Sequence, residues 1–261
     1  MSEGRVALIT GAARGIGAAV ARTLASEGWR LVLVDACADD PALDYPLGSA
    51  AELDSVAAEV GGIAVRADVR VQAELDAAVD VAITQFGGLD AAVAAAGVIW
   101  GGREVWHTPD DAWRAVMGTD LDGVWHLARA AVPALLARPE PRQGRFVAVA
   151  SVAGMTGLPM MGAYSAAKHG VIGLVRSLAA ELGPLGVTAN AVAPGSTSTR
   201  ILEASAEVYG LSTPDEFAHH HLLPRLIEPA EVAALIAWLA GPASSAVTGA
   251  VLPVDAGMSA H

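Results

Sequence analysis

The chain has 261 residues, 53% of them hydrophobic and only 17% charged, with a formal net charge of −12. That length fits one domain with a substantial core, and the acidic balance argues against nucleic acid or an anionic membrane as a partner. No apolar run reaches the ~18 residues of a membrane span, a strand-like run begins too early to leave room for a signal peptide, and Cys37, the sole cysteine, rules out an intrachain disulfide and fits a reducing cytoplasm.

Arg5-Val6-Ala7-Leu8-Ile9-Thr10 is an apolar, β-branched run and predicts the first strand. It leads into Gly11-Ala12-Ala13-Arg14-Gly15-Ile16-Gly17, and a helical pattern follows through Val20, Ala21, Leu24 and Ala25 to Gly28. Strand, glycine turn and helix in this order suit a pyrophosphate. Glycines let the backbone approach it, and the helix start offers free N–H groups and the positive end of a dipole. Arg30-Leu31-Val32-Leu33-Val34 is a second strand ending at Asp35. A carboxylate there accepts from both hydroxyls of an adenosine ribose and repels a 2′-phosphate, which favours NAD over NADP. Arg14 is the one feature pointing the other way.

Residues 36–50, with Cys37, Asp39, Asp40, Pro41, Asp44, Pro46 and Gly48, have no period and read as an inserted loop near the adenosine. The pattern then predicts a helix over 51–60, a strand over 63–67 closed by Asp68-Val69, a helix over 72–86, and a strand over 89–95 reaching Ala96-Gly97. A long helix over 109–137 carries Trp113, Val116, Leu121, Val124 and Leu127 and is expected to break near Gly123. A strand over 145–150 delivers Ser151 at its carboxyl end. Further strands are expected over 187–192, ending in Pro194-Gly195, and over 247–254, with a helix over 229–240 between them. Residues 196–225 read as an irregular segment.

In Tyr164-Ser165-Ala166-Ala167-Lys168 the phenol and the ammonium stand one helical turn apart on one face, and Val171, Leu174, Val175, Leu178 and Leu182 continue the helix. A tyrosine titrates near ~10, so acting as a base at neutral pH requires its proton affinity to fall roughly a thousandfold, about 4 kcal/mol. A fixed neighbouring cation acts in that direction, and the pair reads as a general acid/base for an alcohol oxygen. Alternating strands and helices imply an α/β fold, a doubly wound parallel sheet of about seven strands with helices on both faces. In such sheets ligands bind at the carboxyl ends of the strands, where Gly11, Asp35, Asp68, Gly97, Ser151 and Pro194 all fall.

With these motifs assembled, the chain resembles the short-chain dehydrogenase/reductase family from end to end. The matches are Thr10-Gly11, Gly15-Ile16-Gly17, Asp68-Val69, Ser151, Tyr164 with Lys168, Pro194-Gly195 and Val254-Asp255. The resemblance implies a single Rossmann-type domain over 1–261 and a nicotinamide cofactor, NAD, with no metal. Ser151 would donate to the substrate oxygen and Tyr164 would be the acid/base, while Lys168 would bind the nicotinamide ribose and lower the phenol's pKa. Thr197 and Thr199 would touch the carboxamide and phosphates, and residues 196–225 would form the substrate lid.

Two departures stand out. Ala94-Ala95-Ala96-Gly97 replaces the family's Asn-Asn-Ala-Gly, so other groups must tie the strands together. Asp120 replaces the asparagine that completes the catalytic set, where its charge would add to the field on Lys168. The insert, with Val34-Asp35-Ala36-Cys37-Ala38-Asp39 and Tyr45-Pro46-Leu47, resembles the subgroup associated with the peptide-derived redox carrier mycofactocin, whose members hold NAD very tightly. The alternative is a plain surface loop.

His219-His220-His221 reads as a loop or helix start near the substrate entrance. Met155, Met160 and Met161 are either a pocket wall or core packing, with Trp100 beside them. Leu202, Val208, Tyr209, Leu211 and Phe217 in the lid imply an apolar substrate. The whole reads as an NAD-dependent oxidoreductase that interconverts an alcohol and its carbonyl and assembles as a homotetramer. An epimerase using bound NAD and a non-catalytic NAD-binding sensor are the rival readings.

Overall fold

β1 (Val6–Thr10) is buried along its whole length, as expected for a central strand covered on both faces. Around it lie β2 (Arg30–Asp35), β3 (Ile63–Arg66), β4 (Ala91–Ala94), β5 (Arg145–Val149), β6 (Thr188–Pro194) and β7 (Val251–Val254). All pair in parallel, in the order β3-β2-β1-β4-β5-β6-β7. The structure, a computed structural model, describes residues 4–260; residues 1–3 and 261, included in the single-domain expectation, lie outside the described residues. No helix among the described residues is long and apolar enough to cross a membrane.

Two apolar layers sandwich the sheet. On one face α1 (Gly15–Ser26), α2 (Ala50–Val60) and α8 (Pro229–Ala240) bury Val20, Leu24, Leu53, Val232 and Ile236 against Ile9, Leu33 and Val93. On the other, α3 (Gln72–Phe86), α5 (Gly123–Leu136) and α6 (Gly162–Leu182) bury Leu75, Leu127, Val171 and Val175 against Leu8, Val32 and Ala148. The chain winds outward from β1 to β3 and then returns to place β4 on the other side of β1. The carboxyl ends of β1 and β4 therefore border a crevice at the switch point.

The long helix expected over 109–137 does not break at Gly123. α4 (Asp110–Met117) runs into a π turn at Gly118–Asp122 and on into α5, with right-handed helical angles at Met117, Gly118, Asp122 and Gly123. A π turn inserts an extra residue without ending the rod, and this one carries Asp120 into the interior at 0% exposure. The last strand begins at Val251 rather than 247, because Gly249 turns the chain at φ +69°. Residues 196–225 hold α7 (Arg200–Val208) and a 3₁₀ stretch at Pro214–His220.

Candidate active site

The glycine turn is shaped by close backbone approach. A Cβ on Gly17 would lie 2.1 Å from the Gly11 carbonyl oxygen, and one on Gly11 (φ +67°) would lie 2.7 Å from Ala96 Cα, so both positions require glycine. The side chain of Arg14, which precedes α1, makes no capping bond. The first-turn N–H groups thus face the cleft with no side-chain acceptor, the arrangement that suits a phosphate. Asp35, at the end of β2, accepts from the Ala13 N–H and the Cys37 N–H, both at 3.2 Å. Arg14 lines the same cleft, its guanidinium donating to the Pro46 carbonyl at 2.7 Å.

These groups open on one cleft of about 1160 Å³ lined by Gly11, Arg14, Gly15, Ile16, Gly17, Asp35, Asp68, Val69, Gly97, Asp120, Ser151, Tyr164, Lys168, Pro194, Thr197 and Thr199. Every site residue expected from the sequence is there except Ala94, which is buried within the sheet between Thr10 and Ala148. The wall at that point is Ala95-Ala96-Gly97, because the strand has already ended and only residues beyond its last ladder pair reach the crevice. Thr10 supplies the tie that the missing asparagines would make: its hydroxyl accepts from the Ala95 and Ala96 N–H groups at 3.2 and 3.3 Å.

The acid–base centre lies at the far end of the cleft. The Lys168 ammonium, 3% exposed, donates to the Val149 carbonyl at 3.1 Å and stands 3.2 Å from Asp120 Oδ2 and 5.5 Å from the Tyr164 ring centre. Asp120 Oδ1 accepts from the Val98 N–H at 2.8 Å, whereas Oδ2 has no well-oriented hydrogen-bond donor and is held by charge. Ser151 Oγ accepts from the Ala153 N–H at 3.1 Å. Burial raises the Tyr164 phenol above the ordinary tyrosine range; Lys168 pulls it down, Asp120 pushes it up, and Ser151 pulls it down. Lys168 therefore acts with the expected sign, but the net displacement is upward, the reverse of what the lysine alone implied.

The 36–50 insert does not hang free. It crosses the cleft and is fastened at three points. Asp40 pairs with Arg70 at 2.5 Å, Pro46 with Arg14, and the Tyr45 hydroxyl accepts from the Ile99 N–H at 2.8 Å beyond β4. Arg70 also grips Asp68. Tyr45 and Leu43 pack with Val98, Trp100, Met117 and Tyr164. The sequence shows Tyr45 only as part of the insert's motif, and nothing local reveals Ile99 as its partner.

On the substrate side Leu158, Met161, Leu202, Tyr209, Leu211 and Phe217 line the cleft. Of the three methionines only Met161 does so; Met155 and Met160 are 39% exposed and point away. Trp100 and Val208 line a separate small pocket behind Tyr45. His219 and His220 stack on each other at the cleft wall. Buried His221 accepts from the Ser196 N–H through Nε2 (3.2 Å) and faces the Arg225 carbonyl through Nδ1 (2.6 Å), pinning the turn that carries Thr197.

A doubly wound sheet that brings a glycine turn, the Asp35 carboxylate and the Ser151, Tyr164 and Lys168 side chains into one crevice has the architecture of a dinucleotide-binding domain. Residues 11–259 match the family model described as enoyl-(acyl carrier protein) reductase. (-)-trans-Carveol dehydrogenase of Rhodococcus erythropolis is 40% identical over 98% of this chain and 97% of that protein. The crystal structure of carveol dehydrogenase from Mycobacterium avium in complex with NAD superposes with a TM-score of 0.93 at 36% identity, covering 100% of this chain and 99% of that one. A short-chain dehydrogenase from Mycobacterium paratuberculosis bound to NAD superposes at 0.90 with 33% identity, covering 99% of each chain. The chain belongs to the short-chain dehydrogenase/reductase family, and with it to the oxidoreductases.

Proposed function

We propose that the protein is an NAD-dependent dehydrogenase for an apolar secondary alcohol of the carveol class, with Ser151, Tyr164 and Lys168 as its working side chains and Asp120 beside them. Gly11, Gly15, Ile16 and Gly17 would hold the pyrophosphate, Asp35 the adenosine ribose, Asp68 and Val69 the adenine side, Gly97 and Lys168 the nicotinamide ribose, and Pro194, Thr197 and Thr199 the carboxamide end. A bound oxidised nicotinamide supplies the hydride acceptor and a positive charge. Ser151 donates to the substrate oxygen and orients it toward Tyr164. Tyr164, as a phenolate stabilised by Lys168, takes the hydroxyl proton and becomes the neutral phenol. Leu158, Met161, Leu202, Leu211 and Phe217 exclude water and favour a hydrocarbon body. Residues 196–225 serve as the substrate lid.

The observation that carries the finer reading is the fastening of residues 36–50 across the cleft through Asp40, Tyr45 and Pro46. A strap held on the adenosine side and also beyond β4 slows cofactor release. It supports a captive NAD that is reoxidised in place by a peptide-derived carrier such as mycofactocin. Exposed Trp113 and Trp125 along α4 and α5, and Trp238 on α8, support assembly as a homotetramer. The acidic balance and single cysteine support a cytoplasmic setting.

The test is to purify the protein without added cofactor, desalt it, denature it and quantify released NAD and NADH. About one equivalent per chain, with no multiple turnover on added NAD, is expected. An empty protein that turns over added NAD with carveol would leave an ordinary exchangeable dehydrogenase. Tyr164→Phe is expected to abolish carveol oxidation while retaining NAD; retained turnover would sink the assignment of Tyr164.

A further inference from the structure

Asp120 and Lys168 form an ion pair with both side chains essentially removed from water, 3.2 Å apart. The carboxylate comes from the π turn and the ammonium from α6, and both line the cleft together with Tyr164. The Val98 N–H on one oxygen and the ammonium near the other are the partners of an ionised carboxylate. Charge pairing in a buried site is strong, and a carboxylate beside a cation offsets part of the cation's field on a third group.

We propose that Asp120 is a positioning residue that offsets part of the Lys168 charge, so that the Tyr164 hydroxyl keeps its proton until a positively charged nicotinamide is bound beside it. This rests on the reading of Tyr164 as the acid/base. The charged groups acting on the phenol are Lys168 and Asp120, and Ser151 at the end of β5 acts on it in the lowering direction. Tyr45 from the 36–50 strap and Tyr209 just after α7 share apolar clusters with it, and both phenols are held above the ordinary range, mainly by burial, and stay neutral. Burial raises the Tyr164 phenol, and of the two charges the carboxylate adds to that while the ammonium opposes it. The device gives base strength to the enzyme only when the oxidant is in place, and an uncharged side chain at 120 would leave the lysine's field unopposed at all times.

The test is a phenolate absorbance titration of the purified protein, with its cofactor as isolated, in the wild type and in Asp120→Asn. Each is referenced to the same protein carrying Tyr164→Phe. The chain has three tyrosines, so one phenol is resolved by difference. The expected result is a Tyr164 midpoint lower in Asp120→Asn by about one pH unit or more, a tenfold fall in proton affinity. An unchanged or higher midpoint overturns the proposal, because it would mean either that Asp120 is uncharged or that Lys168 loses its own proton with its partner. Asp120→Ser removes the same charge with a smaller polar group, so either variant that folds reads the sign. A purely structural role would depress activity without moving the midpoint. The titration needs no substrate: a wild type inactive on carveol would count against the dehydrogenase reading, while the sign of the shift would still decide the role of Asp120.

Discussion

Tyr45→Phe isolates the contribution of one hydrogen bond to cofactor retention. The ring keeps its packing against Leu43, Trp100 and Tyr164, and only the hydroxyl that accepts from the Ile99 N–H at 2.8 Å is removed. Ile99 is 2% exposed, so that N–H loses its acceptor in a place water does not reach while the strap is closed. A buried unsatisfied donor costs about 1–3 kcal/mol. When the strap lifts, the N–H meets water and the penalty disappears, so the loss falls on the closed state. The opening equilibrium therefore rises roughly 5- to 150-fold, and NAD release should accelerate by the same factor. The Arg70–Asp40 bridge, with Arg70 39% exposed, belongs to the class of partly solvated pairs worth about 0–1 kcal/mol. Arg70→Ala should accordingly have the smaller effect. The assay is exchange of bound NAD against isotopically labelled NAD in the folded variants. An unchanged release rate in Tyr45→Phe, or a larger effect from Arg70→Ala, would refute the assignment of Tyr45 as the main fastening.

Cys37 offers a check on the environment at the start of the strap. Burial, reinforced by Asp35, pushes its thiol up to about 11, so its alkylation rate should climb about tenfold per pH unit through pH 9 and level off only near 11; levelling at an ordinary thiol value would contradict the packing around it. His221→Ala removes the acceptor of the Ser196 N–H and should cost ~1 kcal/mol, a fall in Tm of roughly 2–4 °C. His221→Asn, which keeps an acceptor and a donor, should recover part of that loss in the same melting experiment.

The catalytic face is legible in the sequence because its parts are local. A glycine turn between strand and helix, an acid at a strand end, and a tyrosine and lysine one helical turn apart each carry their meaning within a few residues. The rule that ligands gather at strand carboxyl ends then brings them together. Ala94 is misplaced by the same reasoning: its motif position is local, but whether it faces the cleft depends on where the ladder with β1 and β5 stops. Met155 and Met160 are equally ambiguous, since an apolar side chain near a site lines it or leaves it according to turns that composition does not encode.

The amino-acid sequence alone determined the parallel doubly wound sheet, the glycine turn between β1 and α1, the preference for NAD and the one-turn spacing of Tyr164 and Lys168, because hydrophobic period, glycine spacing and a four-residue offset are properties of neighbouring residues. The tertiary structure alone decided that the long helix widens into a π turn instead of breaking, that Asp120 thereby meets Lys168 at 3.2 Å, and that residues 36–50 cross the cleft to reach Ile99. Those three facts join groups far apart in the chain, and only the packing of α5 and α6 on the sheet, with the strap laid over them, fixes the distances on which their charges and hydrogen bonds depend.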